Sequence, residues 1–422
     1  MLFDAGRSPG IRADEVSADP VREFYEAHPY PPPVDNLDRA RDEWRADPNR
    51  ARAEHHLFWP DRAYRADLDI LVAGCGTWQA AKYAIARPEA RVTGIDVSAT
   101  SIEHTNALKT KHALTNLDVD QRAIENAGGL GRDFDLIVCT GVLHHLADPD
   151  AGLRALRSVL KPDGAIYLMV YAPYGRAGVY MIQEYCRRLG VGTSAPEIDA
   201  LAETLGAMAP DHPLVRLLKG SRDAGDPDAL ADALLNPRDR AYSVPQLYDV
   251  LDRSGLTFGR WYWQAPYLPE CGAMATTPHA LRLAARPERE QHAAMELWRG
   301  TMTAHSVIAH RRDAPRSRPP VTFDDDAWLE YVPLRLPWTR LVEQSLPPGA
   351  AGVLINRSHP FRDLVLALGP DDRRLFDRID GTRAIDDIIG DTHGIRRHAA
   401  RVLFRKLWCH DQVVFGHLND RV

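Results

Sequence analysis

The chain has 422 residues, enough for two or three domains, and its net charge of −6 argues against strong affinity for nucleic acids or other polyanions. Its five cysteines contain no Cys-x-x-Cys pair, a pattern that indicates a reducing compartment and no structural zinc site. No apolar run approaches the roughly 20 residues that span a membrane, and no signal peptide opens the chain, so we expect a cytoplasmic protein.

The first predicted elements lie upstream of any strand. A short helix begins near Val21, and prolines at 31–33 end it. Two adjacent histidines, His55 and His56, then precede the first strand and raise the question of a metal site. Since no third ligand lies at helical or loop spacing, we favour a packed or solvated pair and expect no metal.

A glycine turn, Gly74–Gly76, follows the first predicted strand at residues 68–73. Asp96 ends the second strand, twenty positions after Gly76. Glycines let the backbone approach a ligand, and an acid at this distance accepts hydrogen bonds from ribose hydroxyls. The phosphate-binding pattern Gly-x-Gly-x-x-Gly would have its third glycine at position 79, but here the bulky Trp78 and then Gln79 follow the turn. The turn therefore favours a nucleoside without phosphates, such as S-adenosylmethionine.

Strands and helices alternate over the next hundred residues. Ser98 is a good N-cap for a helix over 99–114. Further strands are predicted at 117–124, 134–140 and 165–171, with a glycine-rich loop at 128–131 and a helix over 150–160. This alternation predicts a doubly wound α/β fold with a parallel sheet and right-handed crossovers.

With these blocks the chain resembles the class I S-adenosylmethionine-dependent methyltransferases. The matching segments are ILVAGCGT (70–77), TGIDVS (93–98), FDLIVCTGVLHHL (134–146) and LKPDGAIYLMVY (160–171). The resemblance implies a Rossmann-like seven-stranded sheet whose last strand is reversed, and S-adenosyl-L-methionine as cofactor. Two positions depart from the family pattern, which often has an acid at Val72 and glycine at Trp78. A degenerate, non-catalytic member is therefore the alternative.

The resemblance also implies which residues contact the cofactor. The glycine turn would lie against its methionine and ribose, Asp96 would accept from the ribose hydroxyls, and Val97 would pack on adenine. Ala123 replaces the aspartate that the family commonly has near the adenine amine. The predicted cofactor-binding residues are Tyr25, Tyr30, Gly74, Cys75, Gly76, Asp96, Val97, Ile124, Glu125 and Thr140.

The N-terminal segment resembles the lid found in many bacterial methyltransferases of this type, where Phe-Tyr-Glu and Pro-Tyr-Pro flank the cofactor. Here the two motifs begin at Phe24 and Pro29. Tyr25 and Tyr30 would then reach the cofactor carboxylate with their hydroxyls. The alternative is that both are packing aromatics on the first helix.

Transfer of a methyl group to a hydroxyl or ammonium acceptor requires a base. His144 and His145 follow the fourth strand, and one of them should face the site because adjacent residues of an extended chain point to opposite sides. The alternative is a structural pair that packs under the lid. Tyr171 and Tyr174 are the next candidates. The predicted catalytic residues are His144, His145 and Tyr171.

We divide the chain into a lid segment (1–60), a methyltransferase domain (61–313) and a small C-terminal domain (321–422) after a linker at 314–320. A mostly helical insertion at 172–243, with two Gly-, Asp- and Pro-rich breaks predicted after residue 208, is interpreted as a substrate lid. The alternative is a decorative or dimerising insert, so homodimer formation stays open. The C-terminal domain is predicted to be α+β and winged-helix-like, with strands at 321–323 and 353–356 and three helices before a last strand. Its third helix carries four arginines, but nearby aspartates and the acidic chain weigh against DNA binding.

The sequence thus predicts a methyltransferase for a small-molecule or peptide acceptor. A non-catalytic cofactor-binding or scaffold protein, whose C-terminal domain binds a partner, is the main alternative, and a transcriptional regulator is the third.

Overall fold

A seven-stranded sheet, ordered β3-β2-β1-β4-β5-β7-β6, forms the centre of the protein. The computed structural model describes residues 19–220, 225–314, 321–392 and 394–416. The strands are β1 (Asp69–Ala73), β2 (Arg91–Asp96), β3 (Leu117–Gln121), β4 (Phe134–Thr140), β5 (Leu160–Tyr171), β6 (Leu256–Trp261) and β7 (Ala304–Arg311). Neighbours from β3 to β5 are parallel, whereas β7 is antiparallel to both β5 and β6. The predicted Rossmann-like sheet with its reversed strand is confirmed.

Helices cover both faces of this sheet because its central strands, β1 and β4, are buried along almost their whole length. Leu71 and Ala73 pack into one hydrophobic cluster, while Ile70 and Val72 pack into the other. Such two-sided burial is what continuous apolar strands require. The helices up to β5 are α1 (Pro20–Ala27), α2 (Asp38–Arg45), α3 (Arg50–Phe58), α4 (Gln79–Ala86), α5 (Ala99–Lys111) and α6 (Pro149–Ser158).

Two predicted boundaries in the sheet were wrong. The third strand ends at Gln121, and a 3-10 helix, Ile124–Leu130, occupies most of the predicted strand end and loop. The fifth strand begins at Leu160 rather than Ala165. The predicted turn at 161–164 lies inside β5 as an irregularity, since Phe134 pairs with Leu160 whereas Leu136 pairs with Ala165. Ser98 caps α5 as predicted, with its side chain accepting from the Ser101 backbone N–H.

Four helices follow β5 in the insertion: α7 (Ala177–Leu189), α8 (Ala195–Gly206), α9 (Pro213–Gly220) and α10 (Pro227–Leu235). The breaks predicted after residue 208 contain α9 and α10 instead. Both helices begin with proline, which is favoured in the first turn and had indicated loops in the sequence. The insertion has its own hydrophobic cluster, and Phe24 of α1 packs into it beside Ile182 and Leu230. The insertion and the N-terminal helix therefore form one packed layer.

Three further helices precede β6 or lie between β6 and β7, and the first of them packs into the same hydrophobic cluster as Leu71. These helices are α11 (Val244–Arg253), α12 (Ala280–Ala284) and α13 (Glu288–Arg299). Ser243 and Gln246 form a capping box at the start of α11. Short 3-10 helices, Ala265–Tyr267 and Gly272–Thr276, connect β6 to α12. No helix in the part of the chain that the structure describes is long and apolar enough to cross a membrane.

The C-terminal region contains two small antiparallel sheets and three helices. One sheet pairs β8 (Val332–Arg335) with β12 (Val413–Gly416), and the other contains β9 (Thr339–Val342), β10 (Gly352–Asn356) and β11 (Leu366–Leu368). The helices are α14 (Pro370–Asp377), α15 (Ile385–Gly390) and α16 (Arg397–Cys409). The predicted strand at 321–323 is not formed, because Phe323 packs into the C-terminal core instead. The predicted linker lies almost wholly outside the described residues.

The C-terminal region packs directly on the methyltransferase-like sheet. Leu334, Leu336 and Val414 belong to the same hydrophobic cluster as Ile70 and Val72 of β1. A buried ion pair adds to this contact: the Arg260 guanidinium lies 3.0 Å from the Asp411 carboxylate, whose side chain is 0% exposed. Asp411 also accepts a 2.8 Å hydrogen bond from the Ala265 backbone N–H. The boundary at residue 321 stays a prediction.

Burial raises the pKa of Asp411 to about 7, so the variants are compared at about pH 9, where this carboxyl is ionised. There the Asp411→Asn substitution should lower the free energy of unfolding by about 3–5 kcal/mol, because it leaves the Arg260 charge buried without a partner. Asparagine tolerates the positive φ of 51° at this position, so backbone strain is not the cause. Asp386→Asn is the matched control, since its ion pair with Arg397 is exposed and should contribute at most about 1 kcal/mol. Equal losses in urea denaturation would contradict a structural role for the buried pair.

Candidate functional site

A cavity of about 460 Å³ lies at the carboxyl-terminal edge of the sheet. The glycine turn after β1, Asp96 at the end of β2, Thr140 at the end of β4 and Tyr171 at the end of β5 all line it. Carboxyl ends of parallel strands are where ligands bind in open α/β sheets. All ten residues predicted to contact the cofactor line this one cavity.

The glycine turn has no room for side chains at either glycine. Gly74 and Gly76 have φ of 72° and 53°. A Cβ at Gly74 would lie 2.3 Å from Val142 Cγ2. The backbone N–H groups of Gly74 and Cys75 both donate to the Ile95 carbonyl, at 2.8 and 2.9 Å, which ties the turn to β2. The backbone therefore forms part of the cavity wall directly.

Asp96 is half-buried and accepts two backbone hydrogen bonds, from Gly76 at 2.9 Å and from Ser98 at 3.0 Å. Burial raises the pKa of Asp96, and the hydrogen bonds from Ser98 and Gly76 oppose that rise. A carboxylate has about four lone-pair sites. Two backbone donors leave others for ribose hydroxyls, so the residue fits its predicted role and also holds the turn in shape.

The N-terminal segment closes one side of the cavity. A Cβ at Gly76 would meet Pro31 Cδ at 2.8 Å and the Tyr30 carbonyl oxygen at 2.9 Å. The Thr77 hydroxyl donates to the Pro31 carbonyl at 2.7 Å. This segment therefore rests on the glycine turn itself.

Tyr25 lines the cavity, but its hydroxyl is directed elsewhere than predicted. It donates to Asp232 Oδ1 of α10 at 2.7 Å and accepts from Asn236 Nδ2 at 3.1 Å. Protein partners therefore engage this hydroxyl, and its predicted contact with a cofactor carboxylate stays a prediction. Its bond joins the N-terminal helix to the insertion, while its ring forms the wall.

Glu26 anchors the same helix to the sheet, a contact that the sequence did not reveal. Its carboxylate accepts from the backbone N–H groups of Ala99 at 2.7 Å and Thr100 at 3.0 Å, in the first turn of α5. Burial alone would raise the pKa of Glu26, but these hydrogen bonds hold it below its ordinary value. The carboxylate therefore also complements the positive end of the helix dipole.

The two predicted catalytic histidines have different environments. They lie on a 3-10 helix, Leu143–His145, directly after β4. His145 lines the cavity, and its Nδ1 is 2.5 Å from the Arg238 carbonyl. His144 lies behind the cavity wall, with its ring centroid 4.0 Å from that of Tyr171. Burial lowers the pKa of His144 well below its usual range, so this imidazole is neutral at pH 7.

Tyr171 lines the cavity, whereas Tyr174 is exposed and does not. Burial raises the pKa of Tyr171 well above its ordinary value, so the phenol is protonated at neutral pH. It would donate a hydrogen bond rather than take a proton. This environment argues against the predicted role of Tyr171 as a base.

Several cavity residues were missed in the sequence. Arg176 follows β5, and its guanidinium lies 3.6 Å from the centre of the Tyr171 ring and 3.3 Å from Asp239. Gln79 donates to the Thr140 hydroxyl at 2.7 Å. No motif marks either residue, because both reach the cavity only through the turns that the fold makes. Trp78, which the sequence did single out, lines the wall beside the glycine turn.

Comparison with known proteins agrees with this geometry. Residues 71–166, from β1 into β5, match a family model described as a methyltransferase domain. The chain carries a class I methyltransferase domain. S-adenosylmethionine is the cofactor of this class. The methyltransferase domain fits it through the backbone of two glycines, Gly74 and Gly76, and through the half-buried Asp96 carboxylate, which has lone pairs to spare.

Relatives share this domain to different extents. The Synechococcus protein syc1184_c is 32% identical over 251 residues, which are 56% of this chain and 58% of that protein. A ubiquinone biosynthesis O-methyltransferase of Colwellia psychrerythraea is 30% identical over 105 residues, 24% of this chain and 41% of that enzyme. The chain therefore spans less than two thirds of either relative.

A solved structure shares the fold over most of the chain. PKMT2 from Rickettsia typhi in complex with AdoHcy has a TM-score of 0.61 at 15% identity, over 89% of this chain and 76% of that one.

The Gly76→Ala substitution should weaken binding of S-adenosylhomocysteine at least tenfold, or about 1.4 kcal/mol, because the added Cβ displaces Pro31 and Tyr30. Gly190→Ala is the matched control: its φ of 67° imposes comparable strain, and nothing lies within 4 Å of its Cβ. Calorimetric titration of both variants compares the two affinities. If both variants keep the wild-type affinity, the close approach of Pro31 and Tyr30 to Gly76 is not important for binding.

Proposed function

We propose that the chain transfers a methyl group from S-adenosylmethionine to a small-molecule or peptide acceptor. The continuity of the cavity carries this proposal. This one cavity extends from the glycine turn, past Thr140 and Gly141, to Tyr171 at the end of β5 and Arg176 at the start of the insertion. It therefore has a nucleoside end and a second end for another molecule.

Alignment and exclusion of water are the main tasks of the protein in such a reaction. When bound, the cofactor supplies a methyl group on a sulfonium. The helix α1, held by Glu26 and Tyr25, covers the cavity on one side and keeps the reacting centre away from bulk water. The insertion contributes Arg176 to the cavity wall and packs against Phe24 of α1, and we interpret it as the substrate lid.

An acceptor hydroxyl or ammonium must lose its proton, and His145 is best placed of the three predicted catalytic residues to take it. Its Nε2 is buried and has no hydrogen-bond partner among the described residues. His144 does not line the cavity, and Tyr171 stays protonated at neutral pH. Arg176 and Tyr171 would orient the acceptor through hydrogen bonds and the guanidinium charge.

The alternative is a cofactor-binding protein without turnover. Trp78 favours it, since this bulky side chain narrows the cavity where the family pattern has glycine. The ubiquinone biosynthesis enzyme and the other curated relatives share only part of their length with this chain, so their acceptors are no guide to this one.

Formation of S-adenosylhomocysteine from S-adenosylmethionine tests the proposal. An extract of the source organism, divided by filtration into small-molecule and peptide fractions, supplies acceptors, and mass spectrometry follows the product. We expect the wild type to turn over with one fraction. His145→Gln should lose about 10²–10⁴-fold in rate while keeping its affinity for the product, because only proton removal is affected.

Cofactor binding without turnover in either fraction would favour the non-catalytic alternative. Unchanged turnover in His145→Gln would contradict the role assigned to this residue, and loss of product binding would show that the substitution acts through the fold.

A further inference from the structure

Three side chains beside the cavity bring their ligating atoms together. One nitrogen or oxygen each of His144, His145 and Asp239 lies within 4.8 Å of the other two. Both histidines are buried, at 0% and 3% exposure, and the Asp239 side chain is 2% exposed. Two imidazoles and one carboxylate are a ligand set that divalent transition metals use in proteins.

The atoms that a metal would need have no other partner. Both ring nitrogens of His144, Nε2 of His145 and Oδ1 of Asp239 are buried without a hydrogen bond among the described residues. Buried polar atoms of native proteins are rarely left unpaired, so several in one place call for an explanation. A cation among them would satisfy all three side chains at once.

In His145 and Asp239, the polar atom that would not bind the metal makes hydrogen bonds to the protein, as is usual for metal ligands. Nδ1 of His145 lies 2.5 Å from the Arg238 carbonyl, which fixes the tautomer with the lone pair on Nε2. Oδ2 of Asp239 accepts from Gln183 at 2.8 Å and from Arg176 at 3.3 Å. Such outer hydrogen bonds orient ligands toward a metal and tune their basicity.

The charge balance also favours a cation, despite the nearby Arg176 guanidinium. Asp232, a second buried carboxylate, interacts electrostatically with both His145 and Asp239. Two carboxylates thus face the Arg176 guanidinium, and the imidazoles would be neutral ligands. A second guanidinium, that of Arg238, donates to the His145 backbone carbonyl at 3.2 Å and is paired with Asp19 at 3.4 Å. Metal–ligand distances of about 2.0–2.2 Å require the three ligating atoms to lie within about 4 Å of one another. Small side-chain rotations would therefore complete the site.

We propose that His144, His145 and Asp239 form a binding site for one divalent transition-metal ion of the zinc class. Three protein ligands leave a position open. His145 lines the cavity, so that position would face the acceptor end. This orientation rests on the proposed function, but the binding of the ion does not. With the ion bound, His145 Nε2 would be coordinated, and the ion would lower the pKa of an acceptor hydroxyl instead.

Metal titration of the full chain tests the site. Protein stripped with a chelator is titrated with Zn²⁺ by calorimetry and with Co²⁺ by visible absorption, and the metal retained after dialysis is counted. We expect one equivalent and a Co²⁺ spectrum of low coordination number. Asp239→Asn and His145→Gln should each weaken binding more than about 100-fold, because each removes one of three ligands.

His56→Gln is the matched control, since His55 and His56 form another buried adjacent pair elsewhere in the fold. It should retain one equivalent. Each variant is taken as folded if it keeps the wild-type affinity for S-adenosylhomocysteine. If a ligand variant fails this check, His144→Gln is tested in its place.

A wild type that takes up no Zn²⁺ or Co²⁺ would overturn the proposal, as would full retention in the Asp239 and His145 variants or loss in the His56 control. Cofactor binding and turnover without any metal would overturn only the metal site and leave the proposed function standing.

Discussion

The turn between β1 and α4 is the constraint on which the site depends. Its two glycines have positive φ, and three separate parts of the fold meet there. The Ile95 carbonyl accepts hydrogen bonds from two backbone N–H groups of the turn. Val142 fills the space beside Gly74, and Pro31 fills the space beside Gly76. A Cβ at either glycine would push these neighbours apart. The first and second strands, the loop after β4 and the N-terminal segment are thus positioned together by one piece of backbone.

The layer above the turn is built from segments far apart in the sequence. Phe24 joins the hydrophobic cluster of the insertion, Tyr25 bonds to α10, and Glu26 bonds to the start of α5. Three successive residues of one short helix therefore connect the insertion, the cavity wall and the sheet. Movement of this helix would open the cavity and break all three contacts together, which is a physical basis for treating it as the lid.

Much of the fold could be predicted because the strands are continuous apolar runs with clear turns between them. Strand β4 has the predicted bounds, and the glycine turn with Asp96 located the cavity. Side-chain directions could not be predicted: the Tyr25 hydroxyl turns to Asp232, and His144 packs behind Tyr171. Arg176, Asp232 and Asp239 carry no motif, since only the packing of the insertion brings Arg176 to the cavity and the two aspartates to Tyr25 and Arg176 behind its wall. The helices α9 and α10 were also not predicted, because the prolines with which they begin were interpreted as loop residues.

The central claim is that the cavity binds a nucleoside cofactor through Asp96. Calorimetric titration of the wild type and of Asp96→Asn with S-adenosylhomocysteine tests it most directly. Asp118→Asn is the control, because the Asp118 side chain on β3 is exposed. The account predicts binding by the wild type and the control, and a loss of about 1.5–3 kcal/mol for Asp96→Asn, the range for hydrogen bonds to a charged group. Absence of binding by the wild type, or equal affinity in all three proteins, would contradict it.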